Sequence, residues 1–355
     1  MTRTVLLTEH DTREWGRRFA SGDVPAELPY GVDAMRAVGF DLLGVDAHPR
    51  RVGTKIRDVL EHRSGLAVHR PLRAAPTIAK SDLVLALLEK QGLLAGRLKG
   101  LQIPPYSRTP LVIWSCWLAD DIRSADVRTR RAIARQLKGV DLITHLSPHE
   151  SEIFAEIGIG PERLYPVTYG ISHRYYVSDD RERDIDLLAV GQDRGRDYAT
   201  LFAAVDGTDL RLDVITKPEN LAGLRIPANV TVHGVVPLPT YRDYLRRAKV
   251  VAVPTRDFAY PTGSSVALEA ASTGCAVAVT GTRAMRDYFV DGVNAVLVDE
   301  GDVEGWRSAL HALGDLRYRD RIAEGGVANV HGRFNATVMW TELAAELRRR
   351  GIVPT

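Results

Sequence analysis

Cysteine is almost missing: Cys116 and Cys275 are the two in 355 residues. Two thiols exclude a disulfide framework and a cysteine-rich zinc site, and they fit a reducing cytoplasm. Lysine is scarce as well, seven among 47 basic residues, the arginine bias of a GC-rich coding genome. Neither sign of charge dominates, since 47 basic residues face 45 acidic ones and leave +2. A nucleic-acid partner calls for a marked basic excess, so that class is set aside. No apolar run approaches the ~18 residues of a membrane span. The N-terminus, MTRTVLLTEHDTREW, is apolar only over Val5 to Leu7, so no secretory leader is expected there. Dinucleotide and nucleotide fingerprints are absent too: no GxGxxG follows the first apolar run, and there is no GxxxxGK[ST]. HESEIF (residues 149–154) lacks the second histidine of a zinc-protease motif. Asp184-Ile185-Asp186 opens an apolar run rather than ending one, a poor place for a metal-held diphosphate. No metal is expected.

The chain does have the makings of large cores. Hydrophobic residues are 45% and charged ones 26%, an ordinary globular mix. At roughly 100–200 residues per domain the length suggests two domains. Short apolar runs alternate with helical patterns throughout. TVLLT (4–8), DLLGVD (41–46), DLVLALL (82–88), PLVIWS (110–115) and VDLITHL (140–146) read as strands. They are apolar on both faces, as strands of a covered parallel sheet are. Residues 31–38 and 127–137 read as helices between them.

The rhythm restarts after SDDRERD (178–184), a charged stretch read as a linker. IDLLAVG (185–191), LRLDVIT (210–216), NVTVHG (229–234), VVAVPT (250–255), CAVAVT (275–280) and AVLVD (295–299) follow as strands. The fold class is therefore α/β, with two doubly wound, Rossmann-like parallel sheets facing a cleft. The expected domains are 1–175 and 176–335, with 336–355 a C-terminal helix returning to the body. Val338, Leu343, Ala344 and Leu347 give that helix its apolar stripe.

The chemistry is richest in residues 250–280. A strand ends at Pro254-Thr255, and Thr262-Gly263-Ser264-Ser265 precedes a helix over about 266–273. Glycine, hydroxyls and free N–H groups at a helix start hold phosphate. Glu269 lies on the Ser265 face one turn on, where a carboxylate can accept both hydroxyls of a ribose. Serine caps and a helix-ending glycine are also common in any α/β protein, and a lone glutamate can be a solvated surface residue.

SVALEAASTGCAVAVTGTRAMRDYFVDGVNAVLV (265–298) resembles the donor half of GT-B fold glycosyltransferases, of the retaining group 1, family 4 kind. Residues 140–172, 185–205 and 229–255 resemble other segments of that family in the right order. The resemblance covers about residues 140–340, and the earlier part follows only by rhythm. It implies that Arg194, Arg196 and Lys217 face the donor diphosphate, with Gln192 beside them in the donor site. It also places the nucleotide base at His233 and Val235, and the phosphates at Thr262, Gly263, Ser264 and Ser265. A solvent-facing arginine in a polar turn is as good a reading for each basic residue. Several positions depart from the family. Pro261 stands where a first glutamate is usual, Gln192 where an arginine is, Tyr169 for an asparagine and Ser172 for an aspartate.

Acceptor signals are sparser. LVIWSCWLADD (111–121) ends a strand with Trp114, Trp117, Asp120 and Asp121. Tryptophans stack on sugars and aspartates accept sugar hydroxyls, but core packing and a helix start explain them equally well. In related enzymes an acidic residue or histidine in this area lies near the reacting sugar, so Asp120 and Asp121 are candidates beside Arg194 and Lys217 for the catalytic group. The stretch 10–30 reads as a long loop, with His10, Trp15 and Tyr30 as acceptor contacts. Residues 50–73 and 123–138 are basic, and a solvated face is favoured over membrane docking.

These readings imply a cytoplasmic, metal-independent transferase. It would move a hexose from a UDP- or GDP-sugar, its co-substrate with no further cofactor, to a small-molecule, lipid or saccharide acceptor with retention. A GT-B sugar-nucleotide epimerase and a non-catalytic sugar-nucleotide-binding protein are the alternatives.

Overall fold

A computed structural model describes residues 1–45, 69–179 and 181–354. Residues 50–68 of the first basic stretch therefore lie outside the described residues. Two compact units emerge. One holds residues 1–21, 26–167 and 340–355; the other holds 22–25 and 168–339.

The first unit carries a parallel sheet in the order β2-β1-β3-β4-β5-β6. Its strands are β1 (Thr2–Leu7), β2 (Phe40–Gly44), β3 (Leu83–Leu87), β4 (Leu111–Trp114), β5 (Leu142–His145) and β6 (Leu164–Pro166). Every residue of β3, β4 and β5 is buried, so both sheet faces are covered. Register pairs Val5 with Val84 and Ile113 with Ile143. Helices α1 (Thr12–Ala20), α2 (His69–Ile78), α3 (Glu89–Gly100), α4 (Leu118–Ser124), α5 (Val127–Leu137) and α6 (Glu150–Ala155) connect the strands. Strand order reverses between β1 and β3.

Two expectations fail here. The stretch 10–30 is not one long loop, because α1 fills half of it. Asp11 caps that helix by accepting the N–H groups of Arg13 and Glu14, both at 3.0 Å. No residue of α1 is fully buried, and only Trp15 and Phe19 mark an apolar side among its charged residues. Residues 31–38 form no regular α-helix either. A 3₁₀ segment spans Pro29–Val38, and Tyr30 (φ 59°) and Gly31 (φ 68°) are left-handed within it.

The second unit carries a parallel sheet in the order β12-β11-β10-β7-β8-β9. The strands are β7 (Ile185–Val190), β8 (Leu212–Ile215), β9 (Val230–Val232), β10 (Ala248–Val253), β11 (Ala276–Thr280) and β12 (Val296–Val298). Helices α7 (Tyr198–Val205), α8 (Leu238–Arg247), α9 (Ser264–Ser272), α10 (Val303–Ala312) and α11 (Leu316–Gly332) complete it. The last helix, α12, runs over Ala336–Arg349, and its residues from Trp340 on belong to the first unit.

Numbered within the unit, this is the order 3-2-1-4-5-6. The switch in winding direction falls between β7 and β10, and a ligand crevice is expected beyond their carboxyl ends. The charged stretch before β7 is no bare linker. Arg183 donates to the carbonyls of Ala248, Leu245 and Thr273, tying the entry of β7 to α8, β10 and α9.

Candidate functional site

Beyond the ends of β7 and β8, next to the switch, lies a cavity of about 350 Å³. Its walls are Val190, Ile215, Val236, Leu238, Tyr241 and Val266; its polar side is Gly191, Gln192, Asp193, Arg196 and Ser265. The loop after β7 is held down by Gly191, whose carbonyl accepts from Thr216 Oγ1 at 2.6 Å and Tyr198 Oη at 2.9 Å. A bridge between Arg196 and Thr255 stitches that loop to the one after β10.

Arg196 is the centre of this arrangement. Its side chain is 2% exposed, and its Nη2 lies 3.2 Å from Asp193 Oδ2. Nε and Nη1 have no partner. A Cβ on Gly191 would sit 1.6 Å from Nε, and one on Gly263 would sit 2.3 Å from Nη1. Glycine at both positions is what lets the guanidinium lie there. Gly263 also has φ 86°, which other residues avoid. Three buried hydroxyls of the second loop share the deficit: Thr255 Oγ1, Thr262 Oγ1 and Ser264 Oγ all lack a partner. Burying a polar group unsatisfied costs about 1–3 kcal/mol, and more for a charged one. Donors collected this way suit an anion with several acceptor atoms.

Glu269 is half-buried one turn into α9. Its Oε2 accepts the Tyr241 hydroxyl at 2.6 Å. Burial pushes its carboxyl up to about 7, against hydrogen bonds from Tyr241 and Tyr176 that pull it down. Gln192, Arg194 and Lys217 are exposed, and the Arg194 guanidinium lies 5.9 Å from the Phe258 ring. His233 stands elsewhere. Its Nε2 is 2.5 Å from Asp213 Oδ1 and its Nδ1 3.1 Å from the Tyr244 hydroxyl, in a separate polar pocket beside α8. Val235 is exposed, and the neighbouring Val236 lines the cavity.

The first unit gathers most of the acceptor candidates into one aromatic chain. Ring centroids run His10–Trp15 4.5 Å, His10–Tyr30 6.3 Å, Tyr30–Trp114 5.0 Å and Trp114–Trp340 5.7 Å. Burial holds His10 below the usual histidine range; Glu9 opposes this, while Arg70 and Arg18 add to it. Trp114 is fully buried, which corrects the expectation that its face stacks on a sugar. It sits on a strand flanked on both sides, between Tyr30 and Trp340, and fills core. Trp117 is half-buried at the start of α4. Asp120 is buried and pairs with Arg123 at 2.9 Å, while Asp121 is half-buried. Among the described residues, no group of three or more His, Cys, Asp or Glu is placed to hold a metal. None of the described helices is long and apolar enough to cross a membrane.

Residues 181–315 match the family model for glycosyl transferases group 1. Over 119 residues the chain is 36% identical to D-inositol 3-phosphate glycosyltransferase of Xylanimonas cellulosilytica. That stretch is 33% of this chain and spans only 27% of the relative's length. Sucrose-phosphate synthase of Thermosynechococcus elongatus superposes with a TM-score of 0.72 at 14% identity, covering 98% of this chain and 99% of that one. HepE of Anabaena, solved with UDP and glucose, gives 0.69 at 12% identity, covering 98% and 100%. The chain has the GT-B fold, and its residues 181–315 are similar to group 1 glycosyl transferases.

Several residues of this GT-B chain escape the sequence reading. Asp193, Tyr241 and Tyr176 contact the cavity or its carboxylate. In the first unit, Glu89 is buried and accepts the Cys116 N–H at 3.1 Å, and burial raises its carboxyl. Glu150 accepts the N–H groups of Leu146 and Ser147, and burial lifts it well above the carboxylate range. Ser147-x-x-Glu150 is a capping-box spacing and could have flagged the last of these. Asp193 and Tyr241 carry no such signal.

Proposed function

We propose that this protein transfers a hexose from a nucleotide diphosphate sugar to an acceptor, with retention and without a metal. The observation that carries the reading is Arg196: buried, two of its nitrogens without an acceptor, at the switch of a sheet whose sequence matches a glycosyltransferase family. In this reading the apolar walls of the cavity receive the base, Glu269 takes the ribose hydroxyls, and Arg196, Thr262 and Ser264 serve the diphosphate. HepE, solved with UDP and glucose, supports a uridine donor. The residues of the first unit named above are the candidates for the acceptor.

Same-face attack suits a site built from positive charge rather than a nucleophile. The acceptor hydroxyl bonds to the anomeric carbon as the bond to the diphosphate breaks, and the leaving oxygen takes the hydroxyl proton. Arg196 and the loop hydroxyls stabilise the charge that develops on the leaving group. The rest is positioning.

A thermal-shift screen tests the donor site, with UDP, GDP and their sugar esters and Glu269→Ala beside the wild type. A nucleotide at a hundredfold excess over its Kd stabilises the native state by about 2.7 kcal/mol. The expected result is a shift from one nucleotide that the variant loses; no shift from any of them overturns the reading. Pro261 in place of a carboxylate favours one second reading, a binding protein that does not turn over, and release of the hexose from a bound donor separates the two.

A further inference from the structure

Asp193 is an anionic side chain inside a pocket that otherwise calls for an anion. It lines the cavity, and its Oδ2 pairs with Arg196 Nη2 at 3.2 Å. Its Oδ1 accepts the Gly195 N–H at 2.9 Å, which closes a turn and fixes the carboxylate where it is. The pairing is a poor use of a guanidinium. A fork of five donors meets one oxygen at the long end of hydrogen-bonding range, while Nε and Nη1 stay empty. A diphosphate would offer more acceptors, but it would also bring its own negative charge beside Asp193.

We propose that Asp193 is a built-in competitor of the donor diphosphate. It holds Arg196 in place while the site is empty, and it sets a ceiling on diphosphate affinity so that the spent nucleotide leaves. The proposal rests on the donor-site reading above. Asp193 acts through Arg196 and through its own charge, so it is a positioning residue and takes no part in bond making.

Titration calorimetry of the full chain tests it, with UDP, GDP, inorganic pyrophosphate and the uncharged nucleosides as probes. Asp193→Asn keeps an acceptor for the Gly195 N–H and removes only the charge. Asp193→Ser does the same with a hydroxyl, should the first variant fold poorly. Removing one like charge at this range is expected to tighten nucleoside diphosphate binding about tenfold. The nucleosides should bind unchanged, and kcat should fall at saturating donor while KM falls with it. Unchanged or weaker diphosphate binding in both folded variants, with the wild type binding normally, overturns the role of Asp193 and leaves the donor site standing. A wild-type chain that binds neither nucleoside diphosphate nor pyrophosphate overturns the donor site and this proposal together.

Discussion

The Tyr241 hydroxyl donates to Glu269 Oε2 at 2.6 Å, so the carboxylate of α9 is already engaged from α8 before any ligand arrives. Burial outweighs that bond and holds the Glu269 carboxyl at about 7, against an ordinary 4.5. A raised carboxyl means the folded chain binds the proton more tightly than the unfolded one. The stabilisation is therefore complete below about 4.5 and is lost as pH rises through about 7. The shift corresponds to roughly 3 kcal/mol. Urea unfolding at pH 5 and pH 8 checks this against Glu269→Gln. The variant should lose much less stability between the two pH values than the wild type; equal losses would show that Glu269 titrates normally.

The same titration predicts a pH dependence of donor binding. An ionised carboxylate accepts from both ribose hydroxyls more strongly than the protonated acid, one of whose oxygens has become a donor. Affinity for a nucleotide sugar should thus rise several-fold from pH 6 to pH 8, and Glu269→Gln should bind weakly at both. A diphosphate ester is the right probe, because its own phosphates stay ionised across that range. A flat wild-type profile would place the ribose away from Glu269.

Much of the architecture was legible because parallel strands buried on both faces must be apolar throughout. The runs read at 82–88, 110–115 and 275–280 are β3, β4 and β11 within two residues at each end. β6 was missed: it is three residues long and ends in proline, so no apolar run marks it. α1 was missed because its apolar side is only Trp15 and Phe19 in a short run of charged residues. In the candidate site, the hydroxyls of the Thr262–Ser265 turn stood out by residue type, and Arg196 only through the resemblance. Tyr241 was not, since its bond to Glu269 spans 28 positions and exists only once α8 packs beside α9. Asp193 gave no signal either, since its contact with Arg196 exists only once the loop after β7 is folded.

Arg183 should matter to folding and not to nucleotide binding. It donates to three main-chain carbonyls, of Leu245, Ala248 and Thr273, which bind the start of β7 to its neighbours. Arg183→Ala leaves those acceptors short of a donor, at about 1–3 kcal/mol for each that ends up buried and unsatisfied. Denaturant titration should show a loss of at least ~2 kcal/mol with unchanged cooperativity. The folded variant should keep its nucleotide affinity. A stability change below ~0.5 kcal/mol, the range of ordinary surface substitutions, would mean the segment is a linker after all.

Gly263→Ala tests whether the glycine exists for Arg196 or only for its own backbone. A left-handed φ of 86° costs alanine about 1–2 kcal/mol wherever the side chain goes. The added methyl would also meet Arg196 Nη1 at 2.3 Å and Val253 Cγ1 at 2.5 Å, so the guanidinium must move. Stability and diphosphate binding should both fall, the latter by more than tenfold if Arg196 holds the phosphates (a loss above ~1.4 kcal/mol). The two effects separate in a double-mutant cycle. In an Arg196→Ala background the backbone cost of Gly263→Ala remains, while its further effect on binding should vanish. If the glycine substitution weakens binding equally with and without Arg196, the loss comes from the loop backbone, and the guanidinium is not the group that reads the diphosphate.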